Sequence, residues 1–339
     1  MAFGYALYFT ERDRNRVIRW DPDSGDADVV AGEPADGDPT QRLSSPYSVC
    51  FDKDGQLLVA DKLNGRIVRV RAGRLETLVL RDADGHRRPV PGSSQQGYNG
   101  ELLGPAGLFL EKGGTLLCSF SDDHTLYRIH PDLRLELVLG VVRNQPYNFG
   151  RAEEAVPPAE VSKTPIDSPV GLVARTDGTL FFVERGRQAV REYLPESGLR
   201  TVFPFSKYRE SLAMSRAPAD AAVADYYPPS PAALALDASE TLYVAEMRHA
   251  AILAVDLSRG RVRCVAETPS PRRTIVLGMG GLAFGPDGTA WVVDADKGKI
   301  SAYVPLSGAP WVHRGIELMS VRGTPLRFPS GGTGIVTGL

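Results

Sequence analysis

The sequence predicts an all-β protein, a six-bladed β-propeller whose last blade is closed by N-terminal strands together with a C-terminal strand. Three observations predict this fold. A strand–turn–strand pattern recurs along the chain, Gly (35) and Pro (26) are frequent throughout, and the two ends carry complementary parts of one further copy. Frequent turn residues imply many short strands, and a repeat of about forty residues built from such strands is typical of propeller blades.

Each copy of the repeat has the same parts in the same order. A Pro or Gly opens a first strand, an Asp-Gly-type turn follows, and a second strand ends at an acid before a loop and a third strand. The clearest copy has these segments at 45–51, 57–61 and 64–70, and the next four begin near residues 104, 168, 230 and 278. A chain of 339 residues then forms one unit, residues 1–339, because each copy packs only on its neighbours.

The sixth copy is divided between the two ends of the chain. Residues 7–11 and 15–18 match the second and third strands of the repeat, and residues 328–336 resemble the missing first strand. A blade built from both ends closes the ring and leaves no open sheet edge. The sequence therefore predicts a closed propeller.

Residues 59–67 read V-A-D-K-L-N-G-R-I. This stretch resembles the signature of the NHL repeat, roughly V-A-D-x-x-N-x-R-I. The resemblance implies a six-bladed propeller related in fold to the gluconolactonase/regucalcin-like and strictosidine-synthase-like propellers. Such propellers include lactonases, lyases, synthases and pure binding modules, so the resemblance is informative about fold and leaves function open.

Three insertions separate the repeat copies, at 81–103, 143–167 and 204–229. Each connects a fourth strand to the next blade, so all three are expected at the top face, the end of the propeller that the second strands approach. Long loops on a rigid scaffold often carry binding residues. We expect them to gather around the central axis as a lid over a small-molecule pocket.

Five of the six copies end the second strand in an acid, and the second copy has Phe120 instead. The acids are Glu11, Asp61, Glu184, Glu246 and Asp294. They have two interpretations. Each accepts hydrogen bonds from backbone N–H groups of the following loop, or some converge at the axis as catalytic bases or cation ligands.

The candidate site residues come from these loops. The predicted catalytic residues, which are His or carboxylate side chains suited to proton transfer, are His124, His249, Glu246, Glu184 and Asp122. An arginine follows the acid at Glu184-Arg185 and Glu11-Arg12, where it either holds an anionic substrate or forms an exposed ion pair. The predicted substrate-binding residues are Arg185, Arg248, Tyr47, Tyr98 and Tyr147. The predicted ligands of one possible divalent cation, calcium or zinc, are Glu11, Asp61 and Asp294.

Composition excludes several classes of function. The net charge of −2 offers no excess of cations for phosphates, so we expect no nucleic-acid partner. No apolar run approaches the roughly 18 residues of a membrane-spanning helix, and the N-terminal residues do not resemble a signal peptide. The three cysteines, Cys50, Cys118 and Cys264, are too few and too dispersed for a disulfide framework. These features predict a cytoplasmic protein, whose oligomeric state stays open.

Two functions from different classes remain. The first is an enzyme that acts on a small organic molecule by acid/base or cation-assisted chemistry, such as lactone hydrolysis, elimination or cyclisation. The second is a non-catalytic propeller that binds a peptide or protein on the same face. The long insertions favour the enzyme, because a broad binding face is usually left open.

Overall fold

The computed structural model describes most of the chain. The described residues are 4–33, 37–82, 85, 104–141, 155–204, 230–247, 251–267, 279–294, 298–306, 309–321, 323–325 and 335–338. For the strand residues 203–204, 267, 279–280, 294, 325 and 335–338 only the backbone is described.

The described strands form six blades of antiparallel strands, numbered here by the repeat copy that each contains. Blade 6 holds the first three strands of the chain, β1 (Ala6–Glu11), β2 (Arg16–Trp20) and β3 (Ala27–Ala31). Blade 1 consists of β4 (Pro46–Phe51), β5 (Leu57–Asp61), β6 (Arg66–Arg71) and β7 (Arg74–Thr77). Blade 2 consists of β8 (Pro105–Leu110), β9 (Leu116–Phe120), β10 (Thr125–Ile129) and β11 (Leu135–Gly140).

The second half of the chain repeats this arrangement. Blade 3 has an extra strand β12 (Ala155–Val156), helix α1 (Pro158–Val161), and β13 (Pro169–Ala174), β14 (Leu180–Glu184), β15 (Ala189–Leu194) and β16 (Gly198–Pro204). Blade 4 consists of β17 (Pro231–Leu236), β18 (Leu242–Glu246), β19 (Ala251–Asp256) and β20 (Arg261–Glu267). Blade 5 consists of β21 (Met279–Phe284), β22 (Ala290–Asp294), β23 (Lys299–Val304) and β24 (Val312–Leu318). A small hairpin, β25 (Ser320–Val321) and β26 (Thr324–Pro325), precedes the last strand, β27 (Ile335–Gly338).

The two ends of the chain share blade 6. Strand β27 pairs antiparallel with β1, with Ala6 opposite Gly338 and Phe9 opposite Ile335. The sheet order is β27-β1-β2-β3, so β27 is its innermost strand. The predicted closure by N-terminal strands and a C-terminal strand is confirmed, as is the six-bladed all-β fold.

Six clusters of buried apolar side chains hold the described part of the ring together. Each cluster contains side chains from at least two neighbouring blades, because side chains alternate between the two faces of every blade. One pair from each junction, from blades 1–2 round to blades 6–1, is Ala60 with Phe120, Leu126 with Phe182, Phe181 with Val244, Ala245 with Val292, Phe9 with Trp291, and Val17 with Val59. The core is therefore a closed ring of inter-blade layers.

The described end of the second insertion lies elsewhere than expected. Strand β12 pairs with β16 and adds a fifth strand to the outer edge of blade 3. Val161 and Ile166, farther along, are buried with Leu126 of blade 2 and Phe182 of blade 3. This part of the insertion fills the outer junction between two blades instead of covering the axis, because its apolar residues find more buried surface there. The rest of the insertions lies almost wholly outside the described residues.

Among the described residues, no helix has both the length and the apolar character needed to span a membrane.

Candidate functional site

Asp61 shows how a strand-ending acid is used in blade 1. Its side chain is buried at the top of β5. It accepts hydrogen bonds from the backbone N–H of Ser44 (2.6 Å), from Asn64 Nδ2 (2.8 Å) and from Arg66 Nε (2.7 Å). Burial raises the pKa of Asp61, although these hydrogen bonds and the charge of Arg66 act in the opposite direction. The carboxylate ties the loop that enters the blade to the loop that leaves β5.

Glu11 of blade 6 repeats this arrangement. It is buried, and it pairs with Arg16 Nε at 2.7 Å and with Arg14 Nε at 3.3 Å. Arg14 lies three residues beyond its acid, as Asn64 does in blade 1, and Arg16 lies five residues beyond, as Arg66 does. The same spacing therefore produces the same anchor in two neighbouring blades.

Glu184 of blade 3 has the most buried set of partners. It accepts from the Asp167 backbone N–H (2.8 Å) and from Arg187 Nη1 (2.6 Å), and Arg191 Nη1 lies 3.4 Å away. The side chains of Glu184 and Arg191 are both 0% exposed. Burial raises the pKa of Glu184, and the charges of Arg191 and Arg187 oppose that rise.

Glu246 of blade 4 is also buried and accepts from the Ser230 backbone N–H at 2.6 Å. In blades 1, 3 and 4 the acid thus receives a backbone N–H as expected, but from the loop that enters the blade and not from the following loop. The reason is geometric, since the first strand starts directly beside the point where the second strand ends. The catalytic roles of Glu184 and Glu246 stay predictions, and both carboxylates serve as anchors in this structure.

Blade 2 has a different top because Phe120 replaces the acid. Phe120 is buried between blades 1 and 2 and packs edge-to-face on Tyr127, with ring centroids 5.8 Å apart. The next residue, Ser121, bonds to the carbonyl of Gly104 through its backbone N–H (3.0 Å) and its hydroxyl (3.2 Å). Neutral groups thus hold the loop that enters blade 2 to the loop that leaves β9. The adjacent ionisable side chains remain near the surface.

Asp122 is one of these side chains, and it pairs with a lysine from the neighbouring blade. Lys62 Nζ lies 3.1 Å from Asp122 Oδ1 and donates to Ser121 Oγ at 2.8 Å. The Asp122 side chain is 49% exposed. It rests against Gly104, whose φ is +66°, and any side chain at Gly104 would overlap the Asp122 carboxylate. The structure therefore places predicted residue Asp122 at the top of the junction between blades 1 and 2.

His124 occupies the left-handed position of the loop before the third strand, with a φ of 58°. Asn15, Gly65, Gln188 and Gly298 have the same conformation in four other blades, so the loop shape explains the backbone there. His124 Nδ1 accepts from the Ser168 backbone N–H at 2.9 Å and lies 3.4 Å from Asp167 Oδ1. One nitrogen cannot accept from the amide and donate to the carboxylate at once. The contact with the amide applies when Nδ1 has a lone pair and the ring proton is on Nε2, and the contact with Asp167 applies when Nδ1 carries a proton.

Asp167 joins the tops of blades 2 and 3. Its backbone N–H donates to Glu184, and its carboxylate accepts from the Ser168 hydroxyl at 3.1 Å. Burial by itself would raise the pKa of Asp167. Hydrogen bonds from His124 and Ser168, with the charges of His124 and Arg187, outweigh burial and hold this pKa below its usual value.

Tyr47 lies at the top of the central axis. It belongs to one buried cluster with first-strand residues of other blades, including Ala106 of blade 2 and Val170 of blade 3. The Arg12 Cζ atom lies 4.6 Å from its ring centroid, and Lys62 Nζ lies 5.3 Å away. Both distances are within the range of cation–π contacts. Tyr47 is 5% exposed, and the two cations cover much of it.

Arg12, Lys62 and Arg185 occupy the same repeat position, directly after the strand-ending acid. Arg12 Nε donates to Ser45 Oγ at 3.2 Å. Burial lowers the pKa of Arg12, the neighbouring Tyr47 opposes this change, and the positive charge of Arg185 lowers the pKa further. We call the surface formed by Arg12, Tyr47 and Lys62 the axial mouth.

Several predicted residues cannot be placed. His249, Arg248, Tyr98 and Tyr147 lie outside the described residues, and only the backbone of Asp294 is described. In the described part of the chain, no three His, Cys, Asp or Glu side chains are grouped so as to hold a metal ion. Glu11 and Asp61 instead pair with arginines. A donor set already occupied by guanidinium groups does not suit calcium or zinc, and the predicted cation remains a prediction.

Sequence reasoning missed Lys62, Ser121 and Asp167 as members of the site. The first two could have been found, because they follow the strand end at the position where Arg12 and Arg185 were noticed. Asp167 had no such signal, since only the tertiary structure brings the residue before Ser168 beside His124.

A separate cavity of about 710 Å³ lies at the opposite face of blade 2. The turn between β10 and β11 forms it, including His130, Arg134 and Glu136. None of the predicted site residues lines it, so it is not connected with the axial mouth.

Comparisons with known proteins show the same architecture. No protein-family model matches the sequence, and no curated protein matches it. Among solved structures, a chain of a nidogen/laminin complex matches with a TM-score of 0.61 and 13% identity, covering 99% of each chain. A putative gluconolactonase matches with a TM-score of 0.53 and 16% identity over 85% of this chain and 81% of that one. A gluconolactonase from Xanthomonas campestris matches with the same score and identity over 85% and 79%. At such low identity these similarities show the fold alone.

Proposed function

We propose that this chain is an NHL-type propeller enzyme that acts on a small organic molecule at its top face by acid/base chemistry. Lactone hydrolysis, elimination and cyclisation are the reaction classes considered. The observation that carries the proposal is the pairing of a partly exposed His124 with Asp167, beside the half-exposed Asp122. The NHL assignment is supported by the VADKLNGRI stretch and the closed six-bladed ring.

His124 is the proposed proton-transfer group. Its side chain is 30% exposed, whereas Asp167 is 17% exposed. In the protonated ring, Nδ1–H donates to Asp167, and Nε2 carries the proton that is transferred to a leaving oxygen. After that transfer Nδ1 keeps its proton beside Asp167, and Nε2 has a lone pair that accepts a proton from water or from a carbon acid. Asp167 supports the charged ring in both directions, as a carboxylate beside an imidazole commonly does.

Asp122 is the proposed second proton acceptor. The ion pair with Lys62 orients its carboxylate at the surface. Lys62 belongs to blade 1 and Asp122 to blade 2, so the pair also fixes the relative position of the two blade tops. By contrast, the buried acids of blades 1, 3, 4 and 6 are engaged as anchors and are not assigned a proton-transfer role in this proposal.

The test is turnover by the purified full-length chain on a panel of small lactones and activated esters, followed by acid release. We expect His124→Gln and Asp122→Asn each to lower kcat/KM roughly 100-fold, the typical contribution of general acid–base catalysis. Both residues lie near the surface, so each variant should keep its unfolding free energy to within about 0.5 kcal/mol. His130→Gln, a histidine on the opposite face, is the matched control.

Turnover that is unchanged in both variants would exclude the proposed site. No turnover on any substrate class, together with specific retention of a peptide on the top face, would favour the non-catalytic binding propeller instead.

A further inference from the structure

Two junctions of the ring use the same hydrogen bond between neighbouring blade tops. Between blades 6 and 1, Asn15 Oδ1 accepts from the Ser45 backbone N–H at 2.7 Å. Between blades 2 and 3, His124 Nδ1 accepts from the Ser168 backbone N–H at 2.9 Å. The backbones match as well, since Asn15 and His124 have φ values of 53° and 58°, and Ser45 and Ser168 have values of 49° and 47°. The two junctions can therefore be compared residue by residue.

Two further positions differ between these junctions. The residue before the serine is Ser44 at one junction and Asp167 at the other. The residue two positions beyond the buried acid is Leu63 in blade 1 and Gly186 in blade 3. A backbone hydrogen bond joins the two positions in both cases, from Leu63 N–H to the Ser44 carbonyl (3.0 Å) and from Gly186 N–H to the Asp167 carbonyl (3.3 Å). The two loops thus follow the same path with and without a side chain at this position.

The backbone does not require glycine at position 186. The φ of Gly186 lies outside the left-handed region that favours glycine. In blade 1 the equivalent position carries the large side chain of Leu63, which is 66% exposed. At Gly186, however, a Cβ atom would overlap the carboxyl group of Asp167. The missing side chain therefore makes room for this carboxylate.

The carboxylate in this space lies against the imidazole. Asp167 Oδ1 is 3.4 Å from His124 Nδ1 and accepts from the Ser168 hydroxyl at 3.1 Å. Arg187 adds a positive charge nearby. The carboxyl group is the end of a side chain that can change rotamer. An added atom at position 186 would therefore turn the carboxylate away and leave the loop in place.

We infer that Gly186 is a positioning residue, which by having no side chain holds the Asp167 carboxylate beside Nδ1 of His124. The inference rests on the proposed function, in which His124 transfers the proton, and it adds a residue that acts through Asp167. A carboxylate at this place orients the imidazole and stabilises its charged form. Junction 6–1 has asparagine, serine and leucine where junction 2–3 has histidine, aspartate and glycine, so the three replacements occur together.

The first experiment measures the pKa of Asp167 in Gly186→Ala and in the unmodified full-length chain. NMR of protein with ¹³C-labelled aspartate follows the carboxyl group, and Asp167→Asn identifies its signal. In Gly186→Ala the displaced carboxylate loses the hydrogen bonds from His124 and Ser168, so its lowered pKa should rise toward the ordinary value. Backbone amide signals away from the tops of blades 2 and 3 should not move.

The matched control is Leu63→Ala, which changes the side chain at the equivalent position of blade 1. It should leave the pKa of Asp167 as it is in the unmodified chain. The same pKa in Gly186→Ala and the unmodified chain would overturn the inference. An equal rise in Leu63→Ala would also overturn it.

A second experiment tests whether the glycine acts through the carboxylate. On a substrate of the panel above, Gly186→Ala should lower kcat/KM about tenfold, because a misplaced partner slows proton transfer. Asp167→Ser copies Ser44 of blade 1 and should lower kcat/KM by a similar factor. Adding Gly186→Ala to Asp167→Ser should have no further effect. A second tenfold loss would overturn the inference, because the glycine would then act on something other than the carboxylate.

The outcome is separable from that of the proposed function. A raised pKa of Asp167 in Gly186→Ala, without turnover of any substrate, would support the inference and contradict the enzyme. Turnover that falls in His124→Gln and is unchanged in Gly186→Ala would support the enzyme and contradict the inference.

Discussion

The tops of blades 3 and 2 have the same arrangement of strands and loops, but they differ in the side chain that ends the second strand. In blade 3, Glu184 is fully buried, accepts hydrogen bonds at Oε1 from Arg187 and a backbone N–H, and forms an ion pair with the buried Arg191. In blade 2, an apolar Phe120 occupies the equivalent position, and Asp122 and His124 remain at the surface. An acid at the end of the second strand thus stabilises the fold. The blade that lacks it keeps its ionisable groups accessible to a ligand.

Placing an acid at position 120 of blade 2 should have the largest effect, because it removes the difference between the two blades. Phe120→Asp should lower the unfolding free energy by more than about 4 kcal/mol, because it removes a buried ring and buries a carboxylate. Position 120 is 1% exposed, and no arginine stands at 123 or 125, where Asp123 and Thr125 lie. Urea unfolding followed by tryptophan fluorescence measures the change.

The blade 1 arrangement supplies the control for this substitution. Combining Phe120→Asp with Asp123→Asn and Thr125→Arg reproduces the spacing of Asp61, Asn64 and Arg66. This triple variant should recover part of the lost stability, whereas Phe120→Leu alone should lose only about 1 kcal/mol. If the triple variant is no more stable than Phe120→Asp, the spacing does not account for the anchor.

Removing the charge of Glu184 in blade 3 should cause the next largest loss of unfolding free energy. Glu184→Gln leaves the buried Arg191 without its counter-charge, and breaking such a buried pair costs about 3 kcal/mol or more. Glu192→Gln is the matched control, because Glu192 pairs with a half-exposed Arg200 on the same blade. That surface pair should contribute less than about 1 kcal/mol. Equal losses in the two variants would mean that burial of Glu184 does not determine its role.

The smallest effect concerns Asp167, which links the two blade tops. Its pKa is lowered in the folded chain, so the carboxylate stabilises the fold at pH values above its ordinary pKa. This contribution is lost as the pH falls through that value and below it. Asp167→Asn should therefore cost about 1 kcal/mol at pH 5 and progressively less below about pH 4.

Urea titrations of both proteins at pH 5 and pH 3 test this dependence. The exposed Glu196→Gln variant should match the unmodified chain at both values. A loss in Asp167→Asn that grows on acidification would reverse the sign and contradict the assignment.

Much of the fold was predictable because the repeat is local. The turn residues, the apolar strands and the complementary ends recur within each copy, and six copies of one pattern have few ways to pack. The closing pair Phe9 and Ile335 follows from the same logic. The path of residues 155–166 was not predictable, because nothing nearby in sequence shows that Val161 and Ile166 fill the junction between blades 2 and 3.

The candidate site also has features that the sequence predicts and features that only the tertiary structure shows. The sequence alone determined which positions face the top of the ring, since strand direction and repeat position are local properties. It therefore identified Asp122, His124 and Arg185 as candidates. Only the tertiary structure decided that Glu11, Asp61, Glu184 and Glu246 are buried anchors, and that Lys62 crosses to Asp122 and Asp167 reaches His124. Burial and partners arise between blades, where residues far apart in the chain compete for the same hydrogen bonds, and no single repeat contains that information.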